Sequence, residues 1–139
     1  MTEGTSTQGY GRGKALDDLL EGLIRASSDF EGAVLVSMEG LLIATAWSSA
    51  EQAELQQGLD DSDIGAVACR AFEQSGEATT RLDRGKLERM ILSGSRGNMI
   101  IVQVGMDALC VVLLKPEAKL GVASFEAARI GRQLESLLS

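Results

Sequence analysis

Three stretches hold the residue types from which chemistry could be built. Gly9-Tyr10-Gly11-Arg12-Gly13-Lys14 has the glycine content of a phosphate-cradling turn. A Walker-type loop, however, needs glycine where Gln8 stands and a magnesium-binding hydroxyl where Ala15 stands. No strand pattern precedes it, so a nucleotide site is not expected there. Asp60-Asp61-Ser62-Asp63 groups carboxylates as a hard cation would want. Calcium loops space their ligands more widely and close on a glutamate, and both features are missing. The bland reading is a helix start, with Asp61 or Ser62 as N-cap and Asp63 in the first turn. Cys69 and Cys110 sit inside apolar segments without metal or redox spacing, as reduced buried thiols do. Histidine is absent. That removes Ser–His and Cys–His triads, imidazole proton transfer and most zinc sites. No catalytic, cofactor-binding or metal-ligating residue is assigned.

The commonest tools of catalysis are missing, so the surfaces come next, and the elements decide which surfaces exist. The stretch from Lys86 to Leu114 reads as three consecutive strands: Leu87 to Ser93, Met99 to Val104, and Ala108 to Leu114. The intervening Ser93–Asn98 and Gly105-Met106-Asp107 carry turn residues that permit antiparallel hairpins. The second and third strands are apolar on both faces, so helices must cover both. In the first, Glu88 and Arg89 interrupt successive positions, which suits a strand at the sheet edge.

The remaining chain supplies the covering layers. Met1 to Gly13, glycine-rich and almost without apolar side chains, reads as a disordered tail ahead of a single domain from Lys14 to Ser139. Leu16, Leu19, Leu20, Leu23 and Ile24 give Lys14 to Ser28 one apolar helical stripe. Ala33 to Met38 and Leu41 to Trp47 form a hairpin about Glu39-Gly40. Ser48 to Asp61 is a polar connection, either a loop or a loose extra helical turn. A second helix runs from Asp63 to about Ala78, with Ile64, Val67, Ala68, Ala71 and Phe72 as its core stripe. Beside that stripe lie Gly65, Cys69, Phe72 and Gly76. Two glycines in a helix want a reason, either close approach of another helix or weak specification. Arg70, Glu73, Gln74, Glu77 and Arg81 occupy its outer face. After Lys115-Pro116 ends the sheet, Ala118 to Leu138 forms a third helix, with Glu126 and Arg129 as an i, i+3 pair.

A length of 139 residues allows one domain, and 45% hydrophobic with 24% charged residues is an ordinary globular balance. The net charge of −7 argues against nucleic acid and anionic membranes as partners. No membrane span or signal peptide is evident, so a cytoplasmic location is expected.

The order α-β-β-α-β-β-β-α describes a three-layer α/β/α sandwich around one five-stranded antiparallel sheet. It resembles the prokaryotic form of the Roadblock/dynein light chain family, whose fold is profilin-like. The resemblance is carried by Gly32 through Leu41, Leu42-Ile43-Ala44-Thr45, Arg89 through Gly94, Met99 through Gly105, and Leu113-Leu114 with Leu120-Gly121. It departs at Glu39, where the family more often has Asp, and in the long polar Ser48–Asp61 segment. It implies a non-enzymatic homodimer without cofactor that regulates or scaffolds a small Ras-like GTPase. In the family, twin edge strands pair and the second helices pack side by side. The implied dimer interface here is Leu87, Arg89, Ile91 and Ser93 with Gly65, Cys69, Phe72 and Gly76. By the same analogy the partner-binding face is Arg70, Glu73, Gln74, Glu77 and Arg81. Two other classes stay open: an adaptor of this fold in a polarity or sensory complex without a GTPase, and a small enzyme or ligand sensor.

Overall fold

The computed structural model describes the backbone of residues 3–49 and 61–138, and the side chains of residues 13–49 and 63–138. Three helices and five strands are present among them: α1 Glu3–Arg25, β1 Phe30–Ser37, β2 Leu42–Trp47, α2 Asp61–Arg81, β3 Arg89–Gly94, β4 Gly97–Val104, β5 Ala108–Leu114 and α3 Leu120–Leu138. The strands form one antiparallel sheet in the order β2-β1-β5-β4-β3. The expected sandwich is therefore the observed one.

Strand parity divides the core in two. Ala33, Leu35, Ile100, Val102, Cys110 and Val112 point to one side, where Leu16, Leu20 and Leu23 of α1 and Ala127, Ile130 and Leu134 of α3 cover them. Val34, Val36, Ile101, Leu109 and Val111 point to the other, under Ile64, Ala68, Cys69 and Phe72 of α2. Side chains of β1 and β5 are shielded from solvent on both faces, which is why Ala33–Val36 and Ala108–Leu114 read as unbroken apolar runs. At one end of the sheet the Met38 amide donates to the Asp107 carbonyl at 2.8 Å, which locks the β1–β2 turn beside the β4–β5 turn. At the other end the Asn98 side-chain amide donates to the carbonyls of Lys115 and Pro116 at 3.0 and 3.3 Å. The Lys119 amide donates to Asp29 Oδ2 at 3.2 Å, fixing the approach to α3.

Several boundaries differ from the sequence reading. The α1 backbone begins at Glu3 rather than Lys14, since no proline interrupts the glycine-rich stretch ahead of Lys14. The side chains of residues 3–12 lie outside those described, as do Met1 and Thr2. The β3–β4 turn is only Ser95-Arg96, so Asn98 is a buried strand residue and not a loop residue. Leu87 and Glu88 precede β3 and belong to the α2–β3 connection. Residues 50–60, and with them most of the polar connection and Asp60 of the carboxylate cluster, lie outside the described residues. Helix α2 begins at Asp61 and ends at Arg81, so it is longer at both ends than the expected Asp63 to Ala78, and Asp61 and Ser62 lie within it.

Candidate interaction site

The sheet ends differently on its two sides, and β3 is the open side. Among the described residues its backbone pairs only with β4, in the register Arg89–Val102 to Gly94–Gly97. In a two-residue hairpin the turn-closing pair exchanges hydrogen bonds, and bonded pairs then alternate along the ladder. Counted from Gly94–Gly97, the amides of Ser93, Ile91 and Arg89 point to the free edge. Arg89, Ile91 and Ser93 project on the α3 side of the sheet and all are exposed, Ile91 by 46%.

The other parity of β3 was not singled out from the sequence, yet it matters as much. Met90 lies beside Ile101, and Leu92 beside Met99 and Leu113, all on the face that α2 covers. Helix α2 packs chiefly on β1, β2 and β5, so this face is more thinly covered over β4 and β3. Met90, Met99 and Leu113 are half-buried there, and Leu92 is 39% exposed. The period-2 pattern could have revealed them, because a fully apolar β4 beside a mixed β3 implies a face wider than one helix.

Helix α2 is rotated from the expected orientation. Ile64, Gly65, Ala68, Cys69 and Phe72 are buried against the chain's own sheet. A Cβ on Gly65 would lie 2.7 Å from Val36 Cγ1 and 3.1 Å from the Gly40 carbonyl oxygen. The strip expected to meet another helix is thus explained inside the chain for Gly65, Cys69 and Phe72. Gly76 is half-buried beside Leu87, with ordinary clearance. Val67, expected in the core, is instead 52% exposed, and Ala71 is half-buried. With Gln74 and Ala78 they form the flank available to a neighbouring helix. Arg70, Glu73, Gln74, Glu77 and Arg81 are all exposed, and Arg81 forms only a loose pair with Glu77 at 3.7 Å.

The end of α2 is built with care. The Asp83 amide donates to the Thr80 carbonyl at 3.1 Å and the Arg84 amide to the Thr79 carbonyl at 2.7 Å. These are the two bonds of a Schellman cap, with Asp83 at the left-handed position, φ 58°. Shallow clefts gather at this junction. One of about 450 Å³ is bordered by Phe72, Gly76, Lys86, Leu87 and Gln103. None is an enclosed pocket with convergent polar groups.

Among the described residues no cluster of potential metal ligands occurs, and no buried side-chain polar atom lacks a partner. Burial raises the Cys69 thiol, with Glu73 adding to it, and pushes Cys110 up to about 12. Both thiols are therefore neutral and poor nucleophiles near pH 7. No helix among the described residues is long and apolar enough to cross a membrane. The arrangement can pair strands, pack a helix and bind a surface.

Known proteins show the same plan. A Roadblock/LC7 domain structure from Streptomyces avermitilis superimposes with a TM-score of 0.74 at 20% identity, covering 88% of this chain and 96% of that one. Myxococcus xanthus MglB gives 0.77 at 14% identity, covering 91% and 89%. At these identities the likeness is one of fold. By sequence, the uncharacterised Methanocaldococcus jannaschii protein MJ1340 is 24% identical over 114 residues, covering 82% of this chain and 92% of its own. The family model of the Roadblock/LC7 domain matches residues 16–114, from the buried face of α1 to the end of β5, and the chain belongs to that family.

Proposed function

We propose that this protein is a non-catalytic, cytoplasmic homodimer that regulates or scaffolds a small Ras-like GTPase through protein contact. The observation that carries the reading is the open β3 side, where an unpaired strand edge borders a thinly covered apolar face. A two-fold copy supplies both missing pieces at once: its own β3 for the edge, and its α2 for Met90, Leu92 and Met99. The helix flank that meets the copy is Val67, Ala71, Gln74 and Ala78, in place of the strip that faces the sheet. Arg70, Glu73, Glu77 and Arg81 of both protomers then form one composite face of mixed charge, suited to a reversible, salt-sensitive contact. The GTPase itself comes from family membership, not from any nucleotide-handling group of this chain.

The test is a nucleotide-dependent pull-down of Ras-like GTPases from the source organism, any encoded beside this protein's gene being tried first. Retention in one nucleotide state, lost on reversing Arg70 and Glu77 together with dimer mass unchanged, supports the reading. Retention of other proteins but no GTPase would assign the dimer to the adaptor class.

A further inference from the structure

We infer that the end of the sheet where the β1–β2 and β4–β5 turns meet is a docking groove for a basic, apolar segment of a partner protein. This role does not depend on the GTPase reading. Two clefts of about 450 and 350 Å³ adjoin there and share Lys86, Leu87 and Gln103. The first runs along α2 past Glu73, Gly76 and Asp83, and the second continues past Glu88 and Met106 to Glu135 of α3. Together they make one surface groove.

The groove combines an apolar floor with acidic walls. Met38, Phe72 and Leu87 lie along the floor, and Met106 stands 79% exposed at the α3 end, where it adds little to the chain's own core. Methionines suit such a surface, because the flexible thioether repacks around whatever covers it. Four carboxylates, Glu73, Asp83, Glu88 and Glu135, line the two clefts against one described cation, Lys86. All four are exposed, and none makes an ion pair among the described residues. The bond from the Met38 amide to the Asp107 carbonyl brings two further exposed carboxylates, Glu39 and Asp107, to the same end. Burial is the main reason the Cys69 thiol is raised, but Glu73 and Glu39 add to it, so their negative potential reaches beneath α2.

Charge therefore selects the occupant. Arg84 and Arg89 line the next cleft beyond Leu87, so a basic segment is repelled there and lies toward Met106 instead. The chain's net charge of −7 favours the same occupant at longer range, within the screening distance of about 10 Å at 0.1 M salt. A purely ionic ligand such as a polyamine would leave Met106 and Leu87 in water. A segment that mixes lysine or arginine with leucine or isoleucine covers the floor and pairs with the walls at once.

The probe is a short fluorescein-labelled peptide of lysines and leucines, titrated with the full chain by fluorescence anisotropy. Binding should weaken on adding salt and fall about tenfold or more in the Glu88→Lys/Glu135→Lys double variant. Met106→Ser should lower it about threefold or more, through the floor alone. Thermal melting and solution mass should stay as they are in both. Asp17→Lys/Glu117→Lys makes the same change in net charge away from the groove, and should cost about twofold or less. An equal loss in that control overturns the proposal, because affinity then follows net charge and not the groove. Unchanged affinity in the Glu88→Lys/Glu135→Lys variant overturns it as well, and so does equally tight binding of spermine or of a peptide without leucines. Association into species larger than a dimer, abolished by the same reversal, would overturn it in favour of another copy of this chain as the occupant.

Discussion

The two edges of the sheet carry strands of similar length and opposite character. Strand β2 is tucked under α1, with Ala44 and Ala46 buried against the α1–α3 core and Trp47 lying over Gly32 on the other face. Strand β3 has no such cover: every residue but Met90 is exposed, and the bare edge adjoins apolar surface on both faces. A lone chain protects edges with helices, charges or bulges, and β2 has the helix and a bulge at Ile43, opposite Leu35 and Val36 of β1. On the proposed reading a second molecule completes β3, and the contrast between the two edges is what that reading rests on.

A charge placed at each edge should separate the two most sharply. Ala46→Glu puts a carboxylate under α1 and is expected to cost about 3 kcal/mol or more of folding stability, measured by urea denaturation. Leu92→Glu places the same charge on the open face, so the monomer should lose less than about 0.5 kcal/mol while self-association is abolished. Equal destabilisation at both positions would erase the distinction.

The two glycines of α2 offer a second contrast, between a face closed within the chain and one with room. Gly65→Ala forces a methyl against Val36, and should destabilise by about 1–3 kcal/mol despite alanine's better helix propensity. Gly76→Ala meets only Leu87, at ordinary contact distance, and should raise stability by about 0.5–1 kcal/mol. Melting temperatures moving in the same direction would show that α2 does not lie on β1 as described.

A smaller effect marks the centre of the sheet. Cys110 in β5 is wholly buried and its thiol is held up to about 12, against an ordinary value near 9. The stability of the neutral buried thiol is complete below pH 9 and is lost as pH rises toward about 12, because only the unfolded chain ionises early. Denaturation midpoints followed across that range should fall less steeply in Cys110→Ala than in the native sequence. An identical slope would mean that other groups govern alkaline unfolding.

Much of this was legible in the residues, for identifiable reasons. Strands β4 and β5 announce themselves because two-sided burial leaves no polar interruptions, and the α1 stripe from Leu16 to Ile24 is regular enough to orient the helix. The rotation of α2 was not legible. Gly65 and Cys69 pack inward because β1 and the Gly40 turn approach closely, and such an approach is a tertiary fact. Residues of small size read equally well as facing a sheet or a partner helix. The role of Met90 and Leu92 was hidden for a related reason. Glu88 and Arg89 drew attention to polarity at the strand start, while the strand proper begins at Arg89.

The central claim is that β3 is completed by β3 of another copy, and sedimentation equilibrium at micromolar concentration tests it directly. The native protein should show twice the chain mass of 14.7 kDa. Ile91→Pro, which removes an amide directed at the free edge and none from the β4 ladder, should sediment at the chain mass with its circular dichroism unchanged. A native protein already at the chain mass, or an Ile91→Pro variant that remains dimeric, would contradict the account.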